Sequence, residues 1–395
     1  MLGLRDIERI ADGLLDYGLR EEWRGHDPYD ALNSQIFQSS PLRRSQYARL
    51  VWIQFGKRSP INFRDLLSVP KTVNPKGLAL FLSGILDLYR RKEEERYRVI
   101  AESLVLDLKR IQTTGYAGAC WGYPFDWQAR AFFLPKWTPT IVVTSYVANA
   151  LLNAYTVLED QSCLEMARSS CNFFLSDLNR HESADGLCFS YSPKDNSQVH
   201  NASVLGATLL ARVGEKTGKT EWVDVGESGI RYSIHHQLDN GSWHYGLAKY
   251  QKWTDNFHTG FMLECIHDFM TCTGRDWPAQ FLTKGLEFYR NHLFRLNGIP
   301  RYYYGKTYPI DVHSFAQGIL TFAKLVCFDP SSLTFSDRIL QRAVESLRHP
   351  SGFFCYQKSL WYKNQIPYMR WGQAWMFRAL SANLLAHHNQ SIQGA

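Results

Sequence analysis

Residues 241–269 read GSWHYGLAKYQKWTDNFHTGFMLECIHDF. A turn glycine is followed by aromatics, then a polar loop, then a stretch apolar almost all round. The same plan recurs as WGYPFDWQ with TPTIVVTSYVANALLNAY (121–155), GLCFSY with HNASVLGATLLARV (186–213), GIPRYYYG with DVHSFAQGILTFAKL (298–325), and GFFCYQ with PYMRWGQAWMFRALSANLL (352–385). The glycines Gly122, Gly186, Gly241, Gly298 and Gly352 are 64, 55, 57 and 54 residues apart. A sixth, looser copy lies upstream in SPINFRDLLSVPKTVNPKGLALFLSGILDLY (59–89). Self-similarity at such a period is the signature of a repeat architecture.

Between the apolar stretches lie amphipathic ones with charged faces, such as EEERYRVIAESLVLDLKRIQ (93–112) and EWVDVGESGIRYSIHHQL (221–238). A helix apolar all round belongs inside, and one with a charged face belongs outside. Six inner and about six outer helices in alternation predict an all-α (α/α)6 toroid with aromatic-rich turns. An open α-solenoid of helix pairs is the other arrangement such a repeat allows, but six copies suit closure. No stretch reads as a linker, so residues 1–395 are expected to form one domain. Within it, residues 1–70 supply an N-terminal outer helix and a long loop segment carrying GHDPYDALNS (25–34).

The chain has 395 residues, 45% hydrophobic and 14% aromatic, which excludes a disordered protein and allows a large core. Net charge is 44 − 37 = +7, which favours anionic ligands. The basic residues are scattered, so nucleic acid is not an expected partner. Eight cysteines show no CxxC pair or zinc-finger spacing and read as buried, reduced thiols. The first twenty residues carry charges throughout and no apolar signal core. The longest apolar stretches look too short and polar to span a bilayer, so a cytoplasmic protein without a membrane span is expected.

In a closed toroid the inner helices run parallel and their N-termini meet at one mouth. Each end offers unpaired N–H groups and about half a positive charge, so the ring forms an anion-friendly funnel. Polar residues at these starts are Thr138 and Thr140, His200 and Asn201, Asp255 and His258, Asp311 and His313, and Arg370 and Gln373. The turns on the same rim add Trp121, Tyr123, Asp126, Trp127, Tyr191, Trp243, Tyr245, Tyr302, Tyr303, Tyr304, Trp361 and Trp371. Sugar rings stack on aromatic faces, and Arg takes carboxylates in a bidentate fork. His and Asp can move protons, and Tyr joins them if nearby cations lower its pKa. Each residue also has a plainer reading, Asp as an N-cap, His as a satisfied core group, the aromatics as turn packing. Four of these repeats place titratable or amide groups at one position, which capping alone would not demand, and that convergence favours a site. Asp27, Asp30, Arg58 and Arg64 in the N-terminal segment either cover the mouth or tether the chain.

These motifs resemble the α/α-toroid superfamily of six-hairpin glycosidases, toroidal polysaccharide lyases and the helical domain of glucuronyl C5-epimerases. The ending PYMRWGQAWMFRAL is similar to the C-terminal helical segment of those epimerases. DPYDALNS, KRSPINFRDLL, HNASVLGATLLARVG and DNFHTGFMLE together resemble a bacterial family associated with surface-polysaccharide biosynthesis. That likeness implies a setting rather than a reaction. QLDNGSW also fits the Q-x-x-x-G-x-W repeat of terpene cyclases, and DNFHTGFMLE is similar to the helix bearing the zinc-binding His of prenyltransferase β-subunits. On that template His258 would be a metal ligand, yet no Asp-x-Cys pair precedes it and no DxDD motif occurs.

The expected function is a carbohydrate-active enzyme acting on an acidic, uronate-containing oligosaccharide or polysaccharide by proton abstraction, as a lyase or C5-epimerase. Asp255, His258, Asp311, His313, Tyr303 and Arg370 are the catalytic candidates. The substrate-binding candidates are Trp121, Asp126, Trp127, Arg130, Tyr191, His200, Asn201, Trp243, Tyr245, Trp371 and Gln373. No metal or cofactor is expected. The alternatives are a six-hairpin glycoside hydrolase using Asp126, Asp255 and Asp311, a non-catalytic glycan-binding toroid, or a prenyl or terpenoid cyclase.

Overall fold

The computed structural model describes residues 2–130 and 132–393. Fourteen α-helices run through them. α1 (Leu4–Arg20) is followed by two helices of an N-terminal strap, α2 (Gln35–Ser39) and α3 (Gln46–Arg58). Then come α4 (Pro75–Lys92), α5 (Glu95–Arg110), α6 (Ile141–Leu158), α7 (Gln161–Asp177), α8 (His200–Thr217) and α9 (Thr220–His235). The chain finishes with α10 (Asn256–Thr273), α11 (Ala279–His292), α12 (Val312–Lys324), α13 (Ser331–Leu347) and α14 (Trp375–Gln393).

The even-numbered helices from α4 to α14 are the inner ones. Each packs on the next, and α14 packs back on α4, which closes the ring. The predicted toroid is the observed fold, and the open solenoid is not. α1, α5, α7, α9, α11 and α13 form the outer layer. Inner helices such as α6 bury residues on every face (Ile141, Val143, Val147, Leu151, Ala154), whereas α5 buries a stripe of Tyr97, Ala101, Leu104, Val105 and Leu108. Truncating a fully buried leucine such as Leu151 to Ala should cost about 2–5 kcal/mol. By length and composition α6 could cross a bilayer, but here most of it is buried in the ring.

The repeat glycine has a steric cause. Gly241 sits at φ +87°, and a Cβ there would lie 2.3 Å from the carbonyl oxygen of Lys284 on α11. The turn thus presses backbone to backbone on the next outer helix, and any side chain would force them apart. Short antiparallel ladders, such as Arg180–Ser183 with Gly186–Phe189, stiffen the turns.

Two expectations need correction. The segment after α1 holds α2 and α3 rather than only a loop, because Ser34 and Ser45 cap them through the amides of Phe37 and Ala48. The cysteines are all unpaired, and six are buried, but Cys327 is exposed and Cys272 half-buried.

Candidate active site

All six inner helices start at the same mouth. Asn74 caps α4, Thr140 caps α6, Asp255 caps α10 and Asp311 caps α12, each through its own side chain. The last inner helix is entered through a π-helical turn, Met369–Ala374. Between these starts lies a cavity of about 250 Å³, with Lys76, Val142, Asn201, His258, His313 and Arg370 drawn from the six helix starts. The strap adds Tyr29 and Lys57, and the turns add an aromatic wall.

The centre of the cavity is a dyad. Asp255 accepts the backbone N–H of His258 at 3.1 Å, and its carboxylate also lies 2.8 Å from His258 Nδ1. Because a carboxylate can only accept, Nδ1 is the nitrogen that donates, and in the neutral ring that tautomer leaves the lone pair on Nε2. Nε2 has no protein partner among the described residues. Asp255 therefore caps a helix, the plainer reading of the sequence, and also orients a histidine.

Around the dyad the wall is aromatic. Tyr245 stacks on Trp253 with centroids 4.4 Å apart and planes 9° from parallel. Tyr303 meets Trp253 edge-on. His313 is packed between Phe257 at 4.5 Å, Trp371 and Trp375, and neither of its ring nitrogens has a partner among the described residues. Burial, helped by Lys76 and Arg370, holds its pKa well below the ordinary histidine value, so the ring is neutral.

Three basic side chains line the cavity. Arg370 is held by Asp27 through two hydrogen bonds of 2.6 and 2.8 Å, which neutralises it locally. Lys57 donates to the hydroxyl of Tyr29 at 2.8 Å. Lys76 is buried with its ammonium 3.8 Å from the centroid of Tyr146 and has no carboxylate partner among the described residues. Burial first, and Arg370 second, push its pKa well down. Outside the cavity a vestibule of about 640 Å³ shares Trp127, Tyr245, Trp253 and Tyr303 with it. Arg130, Lys252 and Lys306 line that vestibule, and among the described residues no carboxylate does.

Of the residues singled out in the sequence, Asp255, His258, His313, Tyr303, Arg370, Trp127, Tyr191, Asn201, Tyr245 and Trp371 line the cavity together. Arg130 lies in the vestibule. Several expectations are corrected. Asp311 is fully buried behind Trp371. Its oxygens take Trp371 Nε1 at 3.1 Å, the amide of His313 at 2.8 Å and Gln357 at 2.5 Å. It positions the wall and is not on the cavity surface. Burial lifts it to about 6.

Trp121 is a core residue bonded to the carbonyl of Leu108. Gln373 ties down the backbone of Phe354. Asp126 is spent on Gln38 and the amide of Lys136. His200 and Trp243 lie behind the dyad, around a void of about 10 Å³. The Tyr303 hydroxyl is not activated as a base, since burial and Asp255 push it up to about 12.

Sequence reasoning missed Lys57, Lys76, Tyr29 and Trp253. Lys76 had a signal, for it occupies the first turn of α4 in the register that flagged the other starts. Lys57 and Tyr29 reach the cavity only because the strap folds over the mouth. Asp27 and Arg64 show that it both covers and tethers, as Arg64 bonds to Asp30 at 2.7 Å. Among the described residues no group of three His, Cys, Asp or Glu is disposed to hold a metal ion.

No protein-family model matches the chain, and no curated protein is similar in sequence. Solved structures are similar in fold. An unsaturated glucuronyl hydrolase specific for heparin superposes with TM-score 0.64 at 12% identity, covering 99% of this chain and 98% of its own. The cellobiose 2-epimerase of Bacillus thermoamylovorans gives 0.62 at 11% identity over 80% and 88%. A GH76 α-mannanase from Bacteroides thetaiotaomicron gives 0.60 at 14% over 82% and 88%. At such identities the likeness establishes the α/α-toroid fold.

Proposed function

We propose that this chain is a carbohydrate-active enzyme that moves a proton at carbon on an acidic glycan, as an epimerase or lyase does. The observation that carries the reading is the Asp255–His258 dyad in a cavity that no second carboxylate lines among the described residues. Two-carboxylate glycoside hydrolysis needs a pair flanking the bond, about 5–10 Å apart. Asp311 sits behind Trp371 and Asp126 in a loop, so neither supplies the partner.

The chemistry follows from the geometry. A sugar ring fills the cavity against Tyr245 and Trp253, and the rest of the glycan lies in the vestibule. His258 Nε2 takes a proton from the carbon next to a uronate carboxylate, and Asp255 steadies the imidazolium that forms. Lys76 and Lys57 hold the negative charge that develops on the carboxylate oxygens. The Tyr303 hydroxyl, kept protonated by its raised pKa, can return a proton for epimerisation or protonate a leaving oxygen for elimination. The cationic vestibule supports an acidic chain, and the surface-polysaccharide setting rests on the sequence resemblance alone. The names of the fold neighbours, epimerase and unsaturated glucuronyl hydrolase, agree with sugar substrates.

The test is proton NMR of uronate-containing glycans incubated with the purified protein in heavy water. Loss of the C5 proton signal without chain cleavage identifies an epimerase, and a new vinyl proton a lyase. New reducing-end anomeric signals without exchange at carbon would overturn the proposal in favour of hydrolysis.

A further inference from the structure

Residues 31–64 contain six basic residues and not one acid, and no Asp or Glu follows Glu345. These two stretches meet in space. Tyr362 donates its hydroxyl to the carbonyl of Arg58, and Asn364 donates to that of Ser59. The joint surface they form is apolar as well as basic. On α3, Tyr47, Val51 and Phe55 recur every four residues along one outward stripe, with Tyr47 81% and Val51 68% exposed. Beside it a hairpin pairs Lys358 with Lys363 and throws out Leu360 and Trp361 at its tip, Trp361 being 89% exposed. Ser359 Oγ accepts the amides of Trp361 and Tyr362 and pins that turn.

A tryptophan held out by a built turn, packed on nothing and flanked by lysines, has no role in the fold. Singly scattered exposed apolar residues need no explanation, but a helix stripe and a hairpin tip that meet at Arg58 and Ser59, with basic residues predominating around them, do. We infer that this face docks on an anionic lipid bilayer, with Leu360 and Trp361 entering the headgroup region and Arg43, Arg44, Arg58 and Lys363 pairing with lipid phosphates. Trp, Tyr and Leu are the side chains that partition into that interface, and Lys and Arg around them read negative surface charge. The basic face, with Asp65 as the single acid in residues 31–71, suits any anionic partner, and it is the exposed Leu360 and Trp361 tip that favours a bilayer interface over an acidic protein groove. Charge disfavours a second copy, whose equivalent face would carry the same positive charge. The surface adjoins the mouth, because Lys57 at the end of α3 lines the cavity. The inference does not depend on the reaction catalysed.

The experiment is co-sedimentation of the full chain with vesicles of phosphatidylcholine alone or mixed equally with phosphatidylglycerol. The expected result is binding to the anionic vesicles only, weakened by salt, with tryptophan emission quenched by bromine-labelled acyl chains. Leu360→Ser with Trp361→Ser should lose most of the binding and the quenching. Arg43→Glu with Arg44→Glu should weaken it by at least about fivefold per charge removed. These residues make no core contact, so unchanged thermal unfolding will show that the variants fold. Failure to sediment with either vesicle would overturn the proposal. So would a concentration-dependent dimer that the tip variant abolishes, which would make a second copy the occupant.

Discussion

Asp27 and Arg370, 343 residues apart in the chain, form a buried two-pronged ion pair with contacts of 2.6 and 2.8 Å. The pair joins the N-terminal strap to the entry of the last inner helix, so it sews the lid of the cavity to its wall. Asp27 also accepts the amide of Tyr29, whose ring lines that cavity.

Removing one partner strands the other. Asp27→Ala should destabilise the protein by about 3–5 kcal/mol, because a buried guanidinium is left uncompensated. Adding Arg370→Met should recover part of that loss. A urea-unfolding double-mutant cycle checks it, and strict additivity of the two substitutions would show that the pair is not coupled.

The dyad gives a prediction that separates chemistry from folding. Asparagine caps a helix nearly as well as aspartate, so Asp255→Asn should keep α10 and the melting temperature. It cannot fix the same imidazole tautomer or balance an imidazolium. The expected loss in kcat is about 10²–10⁴-fold with KM little changed, and His258→Gln should match it. Rates within threefold of the parent in both variants would remove His258 from the reaction.

Much of this was readable in the sequence. The glycine-aromatic repeat gave the six inner starts, and their shared register pointed to Asp255, His258, His313 and Arg370 in one cavity. Register does not say which atoms face inward. Asp255 and Asp311 cap successive inner helices in the same way, yet Asp255 turns to a histidine while Asp311 is drawn back by Trp371 Nε1 and Gln357. Both partners come from the next repeat and follow no local pattern. Lys57 and Tyr29 were hidden for a related reason, since only the folded strap brings them to the mouth.

Lys76 is expected to act on developing charge rather than on stability. Lys76→Met keeps the apolar stem among Tyr146, Phe261 and Trp375 and removes a buried charge. The fold should be as stable or more so, since the desolvation of the ammonium is relieved. Turnover should drop about 10²–10³-fold, the usual consequence of losing one preorganised group at an anionic centre. Kinetics beside thermal unfolding tests this, and a variant losing stability but not rate would make Lys76 a packing residue.

The acid limb of the stability profile should contain two opposed contributions. Asp311 titrates near 6 in the fold, above the usual 3.8, because it is buried. Between about pH 4 and pH 6 the folded state then holds more protons than the unfolded chain, so this group lowers stability as pH rises through that window. The full penalty, at most about 3 kcal/mol, is present above pH 6. His313 works the other way. Its pKa lies well below 6.5 in the fold, so below about pH 6.5 the unfolded chain takes up a proton that the fold refuses, and stability falls on acidification. His200, lowered to about 3 by burial, adds to that fall. In the parent the slopes partly cancel. Asp311→Asn should gain on the parent progressively from about pH 4 to 6 and then run parallel to it. His313→Gln should gain on it as pH falls from about 7 to 5. Urea midpoints across that range measure both differences. An Asp311→Asn curve parallel to the parent throughout would mean that Asp311 ionises in the fold as readily as in the unfolded chain.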